Sequence, residues 1–414
     1  MNLRLPGPIP VPDEVAKASS SPMINHRGPE FADLSARTTE KLKQIYLTGN
    51  DLLTLTASGT GAMEAAVVNF MPPESHALVI TIGVFGNRFR DLVHAYGGVA
   101  TVLEFEFGTA ADLDVIEQAL KRNNEIRTVF VTHNETSTGV TNPIVPELAK
   151  LAHDHEALLV VDAISSLSSV EFRTDEWDVD VVCSGSQKGW MTAPGLSFVS
   201  VNERAWQRHA DNPQPRFYFD LLRHKNSLAD GQTPWTPAIS VWFSLDTALN
   251  MMLEEGVEAI WARHMNAGQR VRNGVKALGL ELFAAEGVES NTVTSIKVPD
   301  SLDGLEMLKI ARERYNTVFA GGQASLKGQI LRFGHLGYMP DEDLDAALQA
   351  GAMGEIETSS KSKYALRKGP SGMRGLDWSI ADVVTAANQK KQLEVLDLIH
   401  DAQDEIFPPR LTIR

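Results

Sequence analysis

The chain has 414 residues, 43% hydrophobic and 22% charged, with a formal net charge of -15, which is enough for one large and one smaller globular domain with an ample core. The acidic balance argues against a general binder of nucleic acid or anionic membrane, because both reward a basic face. No apolar run reaches the roughly 20 residues that span a bilayer, the first residues lack the apolar segment of a secretory signal, and the single cysteine, Cys183, excludes an intramolecular disulfide or a cysteine-rich metal site; a reducing, cytoplasmic setting is the simplest expectation.

Residues 1 to about 30 carry Pro6, Pro8, Pro10 and Pro12. Each lacks an amide donor and restrains the residue before it, so an extended arm is expected rather than a helix, either lining a pocket or trailing as a leader. A strand expected over 52–56 runs into Ala57-Ser58-Gly59-Thr60-Gly61 and then into strong helix formers up to Phe70. Small residues at a helix start leave free amides and the positive end of the dipole, which suits a phosphate, although the same residues also serve as plain N-caps. Strands expected over 77–82, 99–105, 127–132 and 157–162 alternate with helices over 87–96, 113–121 and 145–155. Such alternation specifies a largely parallel sheet wrapped by helices, with ligands gathering at the carboxyl ends of the strands.

Four positions follow expected strands. Phe85, among Gly83-Val84-Phe85-Gly86, either lies against a flat ring or packs in the core. Thr136, in His133-Asn134-Glu135-Thr136-Ser137, offers a hydroxyl from a polar loop. Asp162 closes the most apolar strand, where a carboxylate makes sense if it serves a cation such as a pyridinium nitrogen. Lys188, in Gly185-Ser186-Gln187-Lys188-Gly189, sits between apolar runs at 179–182 and 196–201. Its ammonium is costly to bury unless paired or converted, and an imine to pyridoxal phosphate is one conversion; a surface lysine is the plain alternative.

Beyond Thr233-Pro234-Trp235-Thr236-Pro237 the chain turns helical over 239–253 and 257–278, a bridge to a smaller α/β layer expected over 292–298, 302–314, 317–320, 329–333 and 341–350. Arg332 falls at a strand end there. From Ser359 to Arg374 five basic residues occur with no acid, which reads as a solvated linker. Ile380, Val384, Ala387, Leu393, Leu396 and Ile399 then give an amphipathic helix for docking on the body or on a partner subunit.

The order of phosphate turn, aromatic, hydroxyl loop, strand-end aspartate and lysine, with Val161-Asp162-Ala163-Ile164-Ser165-Ser166, Gly185-Ser186-Gln187-Lys188-Gly189 and Leu331-Arg332-Phe333-Gly334-His335-Leu336-Gly337, resembles the class V, fold type I aminotransferases that include alanine–glyoxylate and serine–glyoxylate aminotransferase. The resemblance runs from the Pro-Gly-Pro arm to about Ala352. It implies an α/β fold with a large, mostly parallel pyridoxal-phosphate domain (31–255) behind the arm (1–30), a smaller C-terminal α/β domain (256–354), and a basic linker with an additional helix (355–414) that the family pattern does not cover. It also implies that Lys188 forms the Schiff base and that Asp162 pairs with the pyridine nitrogen. Ser58, Gly59, Thr60 and Gln187 would hold the phosphate, Phe85 would stack on the ring, Thr136 would approach the phenolic oxygen and Arg332 would clamp the substrate carboxylate. Thr236 would reach the phosphate of a neighbouring subunit, so a homodimer is implied, although Trp235 and Thr233 depart from the tyrosine and histidine of some members.

The implied reaction is transfer of an amino group from alanine or serine to glyoxylate or pyruvate. A desulfurase would need a mobile nucleophilic cysteine, and Cys183 reads as a small core residue. A pyridoxamine–pyruvate aminotransferase carries an acid where this chain has Ser58. A lyase or hydrolase on an amino acid, and a cofactor-binding scaffold without catalysis, stay open. His153 and His155 are two apart on an expected helix and point to different faces, so no metal is assigned.

Overall fold

The structure is a computed structural model and describes residues 1–365. Its strands in chain order are Asn2–Arg4 (β1), Asp51–Leu55 (β2), His76–Thr81 (β3), Val99–Glu104 (β4), Ile126–Thr132 (β5), Asn134–Glu135 (β6), Val140–Thr141 (β7), Leu158–Asp162 (β8), Val181–Gly185 (β9), Ser197–Val201 (β10), Val293–Lys297 (β11), Thr317–Gly321 (β12) and Ile330–Gly334 (β13). Seven of these form one sheet in the order β2-β10-β9-β8-β5-β3-β4. Only β10 runs against its neighbours, β2 and β9; the remaining pairs are parallel. From β3 the chain steps out to β4 and then crosses back to β5, so the loops after β3 and β5 leave the sheet side by side where the winding reverses. Open α/β sheets collect their ligands at that place.

Burial on both faces explains the apolar strands. In β8, Leu158 and Val160 pack with Phe70, Phe89 and Phe130 on one face, while Leu159 and Val161 pack with Leu34, Leu42 and Trp242 on the other. Each such side chain contributes about 1.5–3 kcal/mol when fully buried, so the strand carries nothing polar until its last residue, Asp162.

The long helix Val257–Ala277 leads to a second sheet, ordered β1-β12-β13-β11. Val271, Val275, Phe333, Leu344 and Leu348 form its core beneath the helix Asp341–Ala365. The α/β class with a mostly parallel large sheet and a smaller layer is thus as expected.

Three expectations need correction. The arm is not extended throughout. β1 adds a parallel edge strand to β12, pairing Asn2 with Thr317, and residues Asp13–Ala18 are helical. The prolines forbid a helix only as far as Pro12, which becomes its N-cap, and Asp13 and Glu14 then suit the positive end of the dipole. Second, Pro29–Tyr46 is an 18-residue helix where no helix was assigned; Gly28 is its N-cap and Pro29 its first residue, a position at which a missing N–H costs nothing. Third, the last helix, expected over 341–350, continues to Ala365, so the start of the presumed linker is helical. The rest of that basic stretch and the amphipathic helix over 380–399 lie outside the described residues.

Candidate active site

Asp162, the last residue of β8, is 3% exposed. Burial raises its pKa to about 7, against the Ile164 amide, which donates to Oδ1 at 2.9 Å; Glu135 adds to the rise, and Arg88 and Lys188 reduce it. Lys188 lies in the loop between β9 and β10 and is 9% exposed. Burial lowers its pKa to about 8, with Asp162 opposing that shift and Arg332 and Arg88 reinforcing it. Its Nζ donates to the carbonyl of Pro6 at 2.6 Å. A buried acid and a buried base thus meet near neutrality, a pattern that marks functional sites more often than structural ion pairs.

The helix Gly59–Phe70 starts beside them. Ser58 is its N-cap, in extended conformation and with no side-chain cap bond; Gly61 N donates to Ser58 O at 2.8 Å, which leaves the Gly59 and Thr60 amides without an acceptor in the helix. A Cβ added at Gly185 would lie 3.1 Å from the Gly59 nitrogen and 3.2 Å from Gln187 Oε1, which places the Gln187 amide against this turn. Gln187 Oε1 is buried without a partner. Two helix-start amides without an acceptor and a buried lysine amine fit a phosphorylated aldehyde, and a Cβ at Gly59 would lie 2.7 Å from Ile164 Cδ1, so a side chain there would have to displace Ile164.

Phe85 follows β3 at the start of the helix Val84–Ala95 and is half-buried. Arg88, one turn on, lies 4.7 Å from the centroid of the Phe85 ring and donates to Thr60 Oγ1 at 2.9 Å. The turn after β5 brings Thr136 to the same cleft: its hydroxyl donates to Ser165 Oγ at 2.8 Å, and its carbonyl accepts from Arg332 Nη1 at 3.1 Å. Arg332, on β13 and 5% exposed, also donates from Nε to Gly321 O at 2.9 Å and from Nη1 to Gln323 Oε1 at 3.5 Å. These contacts leave the two N–H groups of Nη2 for a ligand, and burial lowers its pKa, with Glu135 opposing.

Nine of the ten expected residues therefore come together in one region: Ser58, Gly59, Thr60, Phe85, Thr136, Asp162, Gln187, Lys188 and Arg332. Thr236 is the exception; it is exposed and makes no hydrogen bond among the described residues. Glu135, Ser137 and Arg88 also belong to the site, although sequence reasoning gave them no role, and Pro6 brings the N-terminal arm to it, one of the two readings expected of that segment. The spacing of Phe85 and Arg88, three apart at a helix start, was a signal for Arg88. Cys183 is fully buried in β9 with its thiol against Ala62 O at 3.4 Å, and burial, followed by the charge of Asp162, pushes its pKa well up, so it is no nucleophile.

A family model described as aminotransferase class-V matches residues 13–346. The serine–glyoxylate aminotransferase of Methylorubrum extorquens is 35% identical over 87% of this chain and 92% of its own length. A Synechococcus protein named soluble hydrogenase, small subunit, is 40% identical over 84% of this chain and 91% of its own. The crystal structure of an alanine–glyoxylate aminotransferase from Nostoc superposes with a TM-score of 0.83 at 26% identity, covering 85% of this chain and 94% of that one.

Proposed function

We propose an amino donor, an acceptor and a set of residue roles for this chain, which belongs to the class V aminotransferase family. It is a pyridoxal-phosphate-dependent aminotransferase of fold type I, and its substrates are an amino acid and a 2-oxo acid. Within that frame the donor is a small amino acid, alanine or serine, and the acceptor is glyoxylate or pyruvate; the names of the Methylorubrum and Nostoc relatives favour glyoxylate.

When bound, pyridoxal phosphate supplies an electron sink for the pair left on the substrate Cα when its proton departs. Lys188 would hold the cofactor, and its Nζ is the atom that would move that proton. With a pKa of about 8 the amine is available as a base near neutral pH. Asp162 holds the proton of the pyridine nitrogen. Its carboxylate is costly to ionise when buried alone, and a cation beside it removes that cost.

Ser58, Gly59 and Thr60 would take the phosphate on the free amides of the helix start, with Gln187 Nε2 as a further donor. Phe85 would stack on the ring. Thr136 would approach the phenolic oxygen, its hydroxyl exchanging the bond it gives Ser165 Oγ at 2.8 Å for one to the cofactor. Arg332 binds the substrate carboxylate with the planar fork that matches it. Thr236, exposed in one chain, reaches the phosphate seat of a second copy in a homodimer, in a cytoplasmic setting. The hydrogenase name of the Synechococcus relative stays with that protein: the groups converging here are an amine, carboxylates, an amide and a guanidinium, which suit amino transfer.

One observation carries this reading: a buried lysine amine and a buried strand-end carboxyl have pKa values drawn to about 8 and about 7 beside an uncapped helix start. The test is a half-reaction followed by absorbance. Cofactor-loaded protein should lose its yellow colour with alanine or serine and regain it with glyoxylate. Product formed without any acceptor would instead indicate a lyase or hydrolase, and a colour indifferent to amino acids a scaffold.

A further inference from the structure

The first turn of the helix Val84–Ala95 has no cap of its own. Its N-cap is Gly83, which has no side chain to offer, and the first backbone acceptor within the helix is Gly83 O, which takes the Asn87 amide at 3.1 Å. The three preceding amides are satisfied from a different loop. Val84 N donates to Ser137 Oγ at 3.0 Å, and Phe85 N and Gly86 N both donate to Glu135 Oε2 at 3.1 Å. The other carboxylate oxygen, Oε1, accepts from Ser137 N at 3.1 Å and from Ser137 Oγ at 2.5 Å. Glu135 is fully buried, and a Cβ at Gly83 would lie 2.4 Å from its Cγ, so the glycine is what lets the carboxylate come this close.

A buried carboxylate is normally expensive, and here four N–H and O–H donors and the positive end of a helix dipole offset the cost. We propose that Glu135 is a positioning residue for Phe85: with Ser137 it caps the aromatic-bearing helix from another loop and so fixes where the Phe85 ring stands in the cleft. The inference rests on the reading of Phe85 as the residue that flanks the cofactor ring. The same turn also holds Arg332 through the Thr136 carbonyl, so one short loop sets the spacing between the aromatic and the guanidinium. Nothing in the sequence pattern or the family resemblance gave Glu135 this role.

The chemistry of the cap dictates the test. Glutamine has the shape of glutamate, but it offers one acceptor oxygen and one NH2 group. In Glu135→Gln either the Phe85 and Gly86 amides or the Ser137 donors must therefore face an N–H. Full-length wild type, Phe85→Ala, Glu135→Gln and the double variant are stripped of cofactor and titrated with pyridoxal phosphate, reading the dissociation constant and the circular dichroism induced in the cofactor band. Each single change should weaken binding about 10-fold or more and reduce the induced signal, and the double variant should stay within about 3-fold of Phe85→Ala, because residues that act through one another are not additive.

Independent, multiplying effects in the double variant would overturn the proposal, as would a Glu135→Gln protein with wild-type affinity and dichroism. A silent Phe85→Ala would remove the underlying reading of Phe85 instead, so the two failures differ. Should Glu135→Gln not fold, Ser137→Ala removes the Val84 cap while keeping the charge. The same non-additivity with Phe85→Ala is then expected, and additivity overturns the claim.

Discussion

Lys188 Nζ donates to the carbonyl of Pro6 at 2.6 Å, so the N-terminal arm meets the lysine loop at the amine itself. A Cβ on the neighbouring Gly7 would lie 2.7 Å from that Nζ, and Gly7 has a φ of +123°. Gly7→Ala is therefore expected to strain the backbone by about 1–3 kcal/mol and to crowd the lysine. Pyridoxal phosphate capture should slow markedly while the melting temperature falls only slightly. Stopped-flow absorbance at fixed cofactor measures the first and a thermal melt the second.

Replacing Lys188 removes the proton carrier. Lys188→Ala is expected to lower the rate of amino transfer by at least about 10²–10⁴-fold, the usual range for a positioned acid–base group, with far-ultraviolet circular dichroism unchanged. Single-turnover bleaching with serine checks it.

Arg332→Lys keeps a charge but loses the planar fork. The loss should fall on kcat/KM for carboxylate-bearing substrates by about 10–100-fold, as expected for a charge-assisted bidentate contact of roughly 1.5–3 kcal/mol. An amine that lacks a carboxylate should be affected far less, and comparing the two substrates separates docking from general damage.

Asp162 should cost the cofactor-free protein stability, and the sign fixes the pH window. Its folded pKa is raised from 3.8 to about 7, so the folded state holds a proton that the unfolded state has lost between those values. Stability therefore falls as pH rises through that window, and the cost is fully present above about pH 7. Lys188 softens this cost only while it is charged, below about pH 8. Asp162→Asn is accordingly expected to melt higher than wild type at pH 9, by a few kcal/mol at most given about 1.36 kcal/mol per pKa unit, and by roughly a third of that margin at pH 5, where the cost has only begun to accumulate. Activity should be lost at both. Calorimetry of the cofactor-free proteins at the two pH values decides the point.

Thr236 offers a test of the second subunit. If it completes the partner's phosphate seat, then mixing Lys188→Ala and Thr236→Asp chains, each inactive alone, should restore activity, because one site of each hybrid draws both intact residues from opposite chains. Random pairing in a two-fold dimer gives about a quarter of wild-type sites. Activity that stays at background after subunit exchange speaks against the shared site.

Much of this site was legible because its cues are local. The apolar run ending in Asp162 announces a buried strand, and the small residues from Ser58 to Gly61 announce an open helix start. The alternation of strands and helices fixes which ends of the strands collect the loops. What escaped notice depends on partners distant in the chain. β1 is three residues long and is a strand only because Asn2 meets Thr317. Glu135 looks like one polar residue in a turn until Phe85 and Gly86 are seen donating to it. The helix Pro29–Tyr46 is different: its Pro29 start and the buried spacing of Phe31, Leu34, Thr38, Leu42 and Ile45 were present in the sequence, masked by the prolines read as part of an arm.

Borohydride reduction of the cofactor-saturated protein, followed by peptide mapping, tests the account most directly. A stable pyridoxyl label on Lys188, in the peptide spanning Gly185 to Trp190, is the predicted result. A label on any other lysine, or none on Lys188 under saturation, would contradict it.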